Sequence, residues 1–297
     1  MMNRKSCNYS LMTGILAVLF SGSLNAQEDT LSVLQVQDME FVEEPVSPHS
    51  LYTGIGLGNN MVYMGSSISQ DKPYYYGSLT YGFKEKLYAS VSSFHLAAYN
   101  QFLAFNTFSL NYSQTFNSWF DISLSVSRYQ VNNELTDTLF ISFVYGDLTF
   151  GLDWRILYSK LSAGGIFSES SGAYFQLRNS RYFETPMFFN GKANISFDPY
   201  VNMLFGTLTE TITSSETTIG ITQPYSSKKT SGRNSSGTTT REFFSLMEVD
   251  LGIPVAFTMG KVTIEAEPGF ILPLYSETDP NNPKGFSFLL SCYLRIF

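Results

Sequence analysis

Acidic side chains recur at every second position in two neighbouring segments of the chain. Glu248 and Asp250 lie in the first segment, and Glu265 and Glu267 lie in the second, beyond a short turn. Side chains at alternate positions of a β-strand point to the same face, so the four carboxylates are expected on one wall. Asp198, on the strand before, extends this predicted acidic patch. A wall of carboxylates attracts cations and orders water.

A smaller basic set is predicted to face this patch across the interior of the molecule, and it comprises Lys160, Arg178, Arg181 and Arg295. One interpretation is a polarised constriction that favours cations. A second is that acids and bases neutralise each other and close a narrow interior with ion pairs. A third is a divalent-cation site made of clustered carboxylates. The sequence alone leaves all three open.

The two histidines bear on enzymatic activity. A hydrolase needs a nucleophile with an adjacent base, or a histidine and carboxylate that activate water. His49 precedes the first strand pattern, and His95 with Ser93 forms the serine and histidine neighbourhood that lies within a predicted strand. We therefore expect a protein that is not an enzyme, with no cofactor and no catalytic metal; a hydrolase remains a remote alternative.

The segments that carry these residues alternate strictly between apolar and polar positions. Ile122 and Leu124 alternate with Asp121 and Ser123, which is typical of strands with one face in lipid and the other in a polar interior. Over the whole chain, the residues predicted to face lipid include Ile122, Leu124, Val201, Met247, Val249, Ile264 and Leu290. Those predicted to face the interior include Asp121, Asp198, Glu248 and Glu265.

About twelve such strands fit between Leu51 and Phe297, joined alternately by tight turns and longer loops. The pattern predicts an all-β, membrane-spanning, antiparallel up-and-down barrel. Ten strands would suffice if 173–189 did not span, and a bulge near Asn179-Ser180 would bring both Arg178 and Arg181 inside. The aromatic groups Tyr74-Tyr-Tyr76 and Phe188-Phe189 are expected at the membrane interfaces.

The N-terminus predicts secretion. Residues 1–26 combine Arg4 and Lys5 with a short apolar run and a small-residue cleavage site, as in a signal peptide. We assign 27–50 to a periplasmic extension, 51–297 to the barrel and 214–240 to a long extracellular loop. Removal of the signal peptide leaves 16 basic and 25 acidic residues, a formal charge of −9 that disfavours nucleic acid as a partner.

Four stretches resemble the outer-membrane β-barrel proteins of Bacteroidota: Leu24-Asn-Ala26-Gln27, Tyr52-Thr-Gly-Ile-Gly-Leu-Gly58, Tyr76-Gly-Ser-Leu-Thr-Tyr-Gly82 and Arg295-Ile-Phe297. The resemblance implies an outer-membrane location with both termini periplasmic, a lipid bilayer as the main partner, and insertion by the barrel-assembly machinery. It implies no specific activity. The leading hypothesis is a passive channel for small polar solutes, and the alternative is a closed barrel that binds ligands at the surface or supports the envelope.

Overall fold

The computed structural model describes residues 47–167, 172–212, 217–221, 239–275 and 283–297. The predicted signal peptide and most of the predicted extension lie outside these ranges. The described chain consists of β-strands, their connections and a single 3₁₀ turn, Asn133–Leu135. No helix among the described residues is long and apolar enough to cross a membrane.

Twelve long strands form the wall: β1 (His49–Gly58), β4 (Tyr74–Phe83), β5 (Leu87–Leu96), β6 (Phe105–Asn117), β7 (Phe120–Val131), β8 (Phe143–Asp153), β9 (Tyr158–Phe167), β10 (Gly172–Ser180), β13 (Tyr200–Ile212), β15 (Thr239–Gly252), β17 (Val262–Pro273) and β18 (Gly285–Arg295). Six short strands accompany them: β2 (Val62–Tyr63), β3 (Ser66–Ser67), β11 (Phe183–Glu184), β12 (Ala193–Phe197), β14 (Thr217–Ile221) and β16 (Val255–Met259).

The wall closes into a barrel because β18 pairs with both β17 and β1. Leu290 lies opposite Ala266 on one side and opposite Leu57 on the other. Every pairing is antiparallel, and β10 forms a regular ladder with both β9 and β13. The twelve-strand prediction is therefore confirmed, and the ten-strand alternative is wrong. The short strands β11, β12 and β16 continue β10, β13 and β15 past local breaks.

The two ends of the barrel differ in their connections. Tight connections such as 84–86, 118–119 and 260–261 gather at one end, together with the start of β1 and the end of β18. We call this the turn end, and the opposite end, with connections such as 59–73 and 132–142, the loop end. Gly260 has a φ of 61°, a left-handed conformation that suits glycine, within the turn between β16 and β17.

The barrel is apolar outside and largely polar inside at mid-height. Leu124, Val201 and Ile264 are exposed on the outer surface, whereas Ser125 and Ser127 are buried in the interior. This inversion of the soluble pattern is what a lipid environment requires of a barrel. The predicted alternation is confirmed at these positions.

Met247 departs from the prediction because of a β-bulge. Leu204 of β13 pairs with Glu248, but the next residue, Phe205, pairs with Leu246, so Met247 is left as the extra residue of β15. A bulge of this kind places two successive side chains on the same side of the sheet. Met247 and Glu248 are both completely buried in the interior, and the prediction that Met247 faces lipid is wrong.

The three tyrosines predicted at the membrane interface, Tyr74-Tyr-Tyr76, do not all face the same side. Tyr75 is exposed, but Tyr74 and Tyr76 are buried inside the barrel. Their rings lie against β1, which presents glycine to the interior at Gly56 and Gly58; a Cβ atom at either glycine would overlap the tyrosine ring. Large rings can line this wall only because β1 offers no side chains there.

Two connections differ from their predicted extent. The sequence pattern places the first long connection at 69–73, but β1 ends at Gly58 and the connection runs from 59 to 73. Most of the predicted loop 214–240 lies outside the described residues. Within it, β14 pairs with β13 beyond the start of β10, at the loop end.

Candidate functional site in the barrel interior

The interior divides into two regions. The polar layer, nearer the turn end, is defined by the buried side chains of Asp121, Asp147, Lys160, Arg178, Asp198, Asn202, Glu248, Asp250, Glu265 and Glu267. The apolar plug, at the loop end, is defined by Met61, Tyr63, Met64, Ile68, Phe94, Phe105, Tyr129, Leu135, Leu139, Phe140 and Phe143. Among the buried charged side chains of the described residues, seven are acidic and two are basic.

Neighbouring strands bring the polar layer together. Lys160 of β9 lies opposite Arg178 of β10, Arg178 lies opposite Asn202 of β13, and Asn202 lies opposite Asp250 of β15. The predicted basic residues Lys160 and Arg178 therefore flank the acidic wall along the sheet. Asn202 lies between Arg178 and Asp250 in this row, and alternation along β13 could have predicted that it faces the interior.

Arg178 is the centre of the basic part of this layer. Its side chain is buried, and its Nη2 lies 3.6 Å from Oδ2 of Asp198. The guanidinium carbon lies 3.9 Å from the ring centroid of Tyr200, a cation–π geometry. The Tyr200 hydroxyl donates a 2.7 Å hydrogen bond to Oε1 of Glu267, which extends the contacts to β17. Arg178 thus connects β10 with Asp198, which lies between β12 and β13, and through Tyr200 with Glu267 of β17.

Glu248 and Asp250 form the most concentrated negative charge of the layer. Asn202 donates through Nδ2 to Oδ2 of Asp250 at 2.9 Å. The completely buried carboxyl group of Glu248 lies beside that of Asp250, and its oxygens make no hydrogen bond to any other described residue. Burial of an uncompensated carboxylate is costly, so this pair is the least satisfied part of the layer.

Asp121 and Asp147 add two acids on the opposite arc of the wall. The hydroxyl of Tyr158 donates to Oδ2 of Asp121 at 2.8 Å. The hydroxyl of Thr149 donates to Oδ2 of Asp147 at 3.2 Å. Sequence reasoning placed Asp121 inside but missed Asp147, which alternation along β8 could have found.

Arg181 and Arg295 lie away from the centre of the layer. Arg181 is exposed at the turn end and donates through Nη1 to the carbonyl of Arg155. Both ladders of β10 are regular through Asn179 and Ser180, so the predicted bulge is absent and alternation from Arg178 leaves Arg181 on the outer side. The structure therefore removes Arg181 from the interior set. Arg295 is partly exposed, at the last position of β18.

The segment 59–73 folds into the loop end of the barrel. Met61, Tyr63, Met64 and Ile68 are buried there, among the inward side chains of the wall. The short β2 and β3 strands form a hairpin within the segment, and Tyr275 donates a 2.6 Å hydrogen bond to the carbonyl of Gly65. The segment is thus held both by apolar packing and by a contact to the wall.

Aromatic contacts continue this packing across the loop end. Tyr63 packs on Tyr129 and Phe143, with ring centroids 5.2 and 5.8 Å apart. Phe140, from the connection 132–142, contacts Phe105 at 5.4 Å and Phe143 at 5.5 Å. Two loop-end connections and several strands therefore share one apolar core.

Polar side chains also fix the folded segment internally. Asn60 accepts hydrogen bonds from Ser67 at 2.6 Å and from Ser69 at 3.0 Å, and it donates to Asp71 at 2.7 Å. The backbone amide of Met61 donates to the Ser69 hydroxyl at 2.8 Å. These bonds connect both halves of the segment and favour one compact conformation.

The predicted candidate chemistry outside the layer is limited. In the described part of the chain, no group of three or more His, Cys, Asp or Glu side chains is arranged to hold a metal ion. The His95 ring contacts the carbonyls of Gln101 and Phe102, and the His49 ring contacts the hydroxyl of Tyr81. These hydrogen-bonding contacts of the two rings involve neither a serine nor a carboxylate.

Comparisons with known proteins add little beyond the barrel class. No family model matches the chain, and no curated protein matches it. Among solved structures, the chain is similar to the NanC porin (8% identity, 82% of this chain and 98% of that chain, TM-score 0.43). It is also similar to LpxR from Salmonella typhimurium (6% identity, 82% and 99%, TM-score 0.45) and to the Acinetobacter baumannii outer membrane protein Omp33 (9%, 84% and 98%, TM-score 0.39). With TM-scores under 0.5, these similarities support no argument about activity, and the fold assignment rests on the strand pairing.

Proposed function

We propose that this protein is a barrel of the outer membrane of a Gram-negative bacterium, closed to solutes at rest. In this role it supports the envelope and presents its loop end at the surface, with both termini in the periplasm. Insertion by the barrel-assembly machinery follows from this location. The apolar outer surface and the common end of both barrel termini support the proposal.

One observation carries the closed state: inward side chains are buried at both levels of the interior. In an open channel, residues that face the lumen contact water. Here Glu248 in the polar layer and Met61 in the apolar plug have no exposed surface at all. Side chains and the segment 59–73 fill the space that a channel would need, as is common in narrow barrels.

A passive channel for small polar solutes is the second candidate. The seven-to-two excess of acids over bases among the buried charges favours it, because neutralisation within the layer is incomplete. Displacement of 59–73 would then expose a lumen that attracts cations. Its cation preference should weaken with salt, because the Debye length falls from about 10 Å at 0.1 M to about 3 Å at 1 M.

Liposome swelling tests the two candidates against each other. The refolded protein is inserted into liposomes, and swelling is followed with arabinose, with glycine and with potassium gluconate. The closed barrel predicts rates equal to those of empty liposomes for all three solutes. Swelling by the wild-type protein with any of the three would support the channel and contradict the closed state.

A matched variant shows whether the plug causes the closure. Residues 60–72 are replaced by a short Gly-Ser linker, which leaves β1 and β4 intact. Because the side chains of the polar layer still fill the interior below the plug, liposomes that carry the folded variant should swell no faster than those with the wild type. Swelling with the variant alone would assign the closure to the segment 59–73.

A further inference from the structure

An outward-facing arginine interrupts the apolar surface of the barrel near the loop end. Arg128 lies on the exposed face of β7, in the same alternation as Leu124 and Val126. Its cross-strand neighbours are Phe108 of β6 and Val144 of β8. No ion pair or hydrogen bond to its guanidinium is found among the described residues.

The free-energy cost of exposing Arg128 to lipid depends on its depth in the bilayer. A basic side chain facing lipid costs about 2–4 kcal/mol at the middle of the bilayer and about 0–1 kcal/mol near its surface. Arg128 lies three residues before the last residue of β7, Val131, which is about 10 Å along the strand. The next outward pair beyond Arg128, Gln130 with Asn106, is polar, and we infer from this change that Arg128 lies near the lipid headgroups, where a guanidinium attracts anionic groups.

A cavity of about 270 Å³ opens immediately beyond Arg128, between the ends of β6 and β7. Its polar lining consists of four side-chain amides, those of Asn106, Gln130, Asn132 and Asn133. Gln130 is the next outward residue after Arg128 and lies opposite Asn106. No carboxylate lines this cavity, and the carboxylate of Glu134, which follows the lining residue Asn133, accepts a hydrogen bond from Gln101.

Hydrogen bonds hold part of this lining in place. Ser93 donates to Oδ1 of Asn106 at 2.6 Å, which leaves the amide NH₂ of Asn106 as its donor. Asn132 donates to the carbonyl of Leu103 at 3.1 Å and accepts from the amide of Glu134 at 3.1 Å. The side chains of Gln130 and Asn133 make no hydrogen bond to a described residue. The cavity thus combines a fixed frame with available amide donors and acceptors.

Amides and arginine recognise different chemical groups. Side-chain amides donate to and accept from sugar hydroxyls, since each offers both functions. A guanidinium forms a two-pronged contact with phosphate. Known pockets for drug-sized ligands measure about 300–1,000 Å³, so this smaller cavity suits one headgroup unit.

We propose that Arg128 and this amide-lined cavity bind the phosphorylated sugar headgroup of a glycolipid in the leaflet at the loop end. Arg128 holds the phosphate, and Gln130 with Asn106 contacts the sugar. The acyl chains of the lipid lie on the outer surface below, along Phe108 and Val126. The interior of the barrel takes no part in this binding.

The test measures binding of a bisphosphorylated lipid A preparation to the folded barrel in non-ionic detergent, by native mass spectrometry with titration. Arg128→Leu should lower the affinity at least tenfold, and Gln130→Leu should lower it several-fold. The exposed Arg241 at the loop end supplies the control: Arg241→Leu should leave the affinity unchanged. Heat-modifiable gel mobility verifies that each variant is folded.

The competing ligands distinguish the source of the phosphate. Dephosphorylated lipid A should bind Arg128→Leu and wild type equally weakly, and phosphatidylglycerol and inorganic phosphate should compete poorly. Equal lipid A affinity in wild type and Arg128→Leu would overturn the proposal. Equal competition by inorganic phosphate or by phosphatidylglycerol would overturn the assignment to a glycolipid. All these outcomes are independent of whether the barrel conducts.

Discussion

The two halves of the barrel interior are closed by different means. In the apolar plug, a connection folds inward and packs its side chains on the rings of the wall. In the polar layer, the strands alone supply the filling through charges and hydrogen bonds. A folded connection can leave without breaking the barrel, but strand side chains cannot. Any opening of this protein must therefore begin at the loop end.

A substitution at the border between the two halves, at Gly56, should have the largest effect on folding. The Tyr76 ring covers Gly56, and its hydroxyl lies 2.9 Å from the Ser291 hydroxyl. Gly56→Leu places a side chain where the ring lies, so we expect the barrel not to fold. Gly77→Leu is the control, because a Cβ atom there meets nothing within 4 Å. For both variants, the fraction of protein that runs at the folded position on unheated gels measures folding. A normally folded Gly56→Leu variant would show that the border is loosely packed.

The polar layer depends on Arg178. Arg178→Met should lower the free energy of unfolding by about 3–5 kcal/mol, because it leaves the buried Asp198 without its ion-pair partner. Arg181→Met, at the exposed neighbour, should change it by no more than about 0.5 kcal/mol. Guanidinium unfolding in lipid vesicles measures the difference. Equal effects of the two substitutions would mean that the layer is not organised around Arg178.

The apolar plug depends on Tyr63. Tyr63→Ala should lower the free energy of unfolding by about 3 kcal/mol, since it removes a buried ring and its two aromatic contacts. Phe102→Ala, at an exposed position of another loop-end connection, is the control and should have little effect. The same unfolding measurement applies. A negligible cost at Tyr63 would indicate that the segment 59–73 leaves the barrel easily.

The smallest expected change in the free energy of unfolding comes from a substitution at Glu248, in the polar layer. Glu248→Gln should raise the free energy of unfolding by about 1–3 kcal/mol, because it removes one of two buried acids that lie side by side, Glu248 and Asp250. Glu267→Gln should instead lower it, since the Glu267 carboxylate accepts the Tyr200 hydroxyl. If Glu248→Gln were destabilising, a compensating cation at Glu248 would have to be considered.

Alternation along strands made much of this structure predictable. The strand number, the outward side chains and the buried acids all follow from a period of two, which is a local property. The bulge at Met247 was not predictable, because Leu246 and Met247 are both apolar and a change of phase leaves no trace in the sequence. Arg178 and Arg181 are a different case, because their opposite parity already places them on opposite faces and the bulge predicted near Asn179-Ser180 is absent.

The folded segment 59–73 was missed for a different reason. Met61-Val-Tyr-Met64 is apolar enough to continue the first strand, and only tertiary packing places it inside the barrel. Long-range contacts of this kind have no local pattern. The closed interior therefore emerged from the structure, whereas the polar residues that line it were visible in the sequence.

Single-channel recording of the wild-type barrel in a planar bilayer tests the closed interior most directly. The protein is inserted from detergent, and current is recorded in 1 M and in 0.1 M KCl at moderate voltages. The account predicts no stable conductance steps for the wild type at either salt concentration, and none when residues 60–72 are replaced by a linker, because the polar layer still fills the interior. Stable, cation-selective steps from the wild-type protein would contradict it.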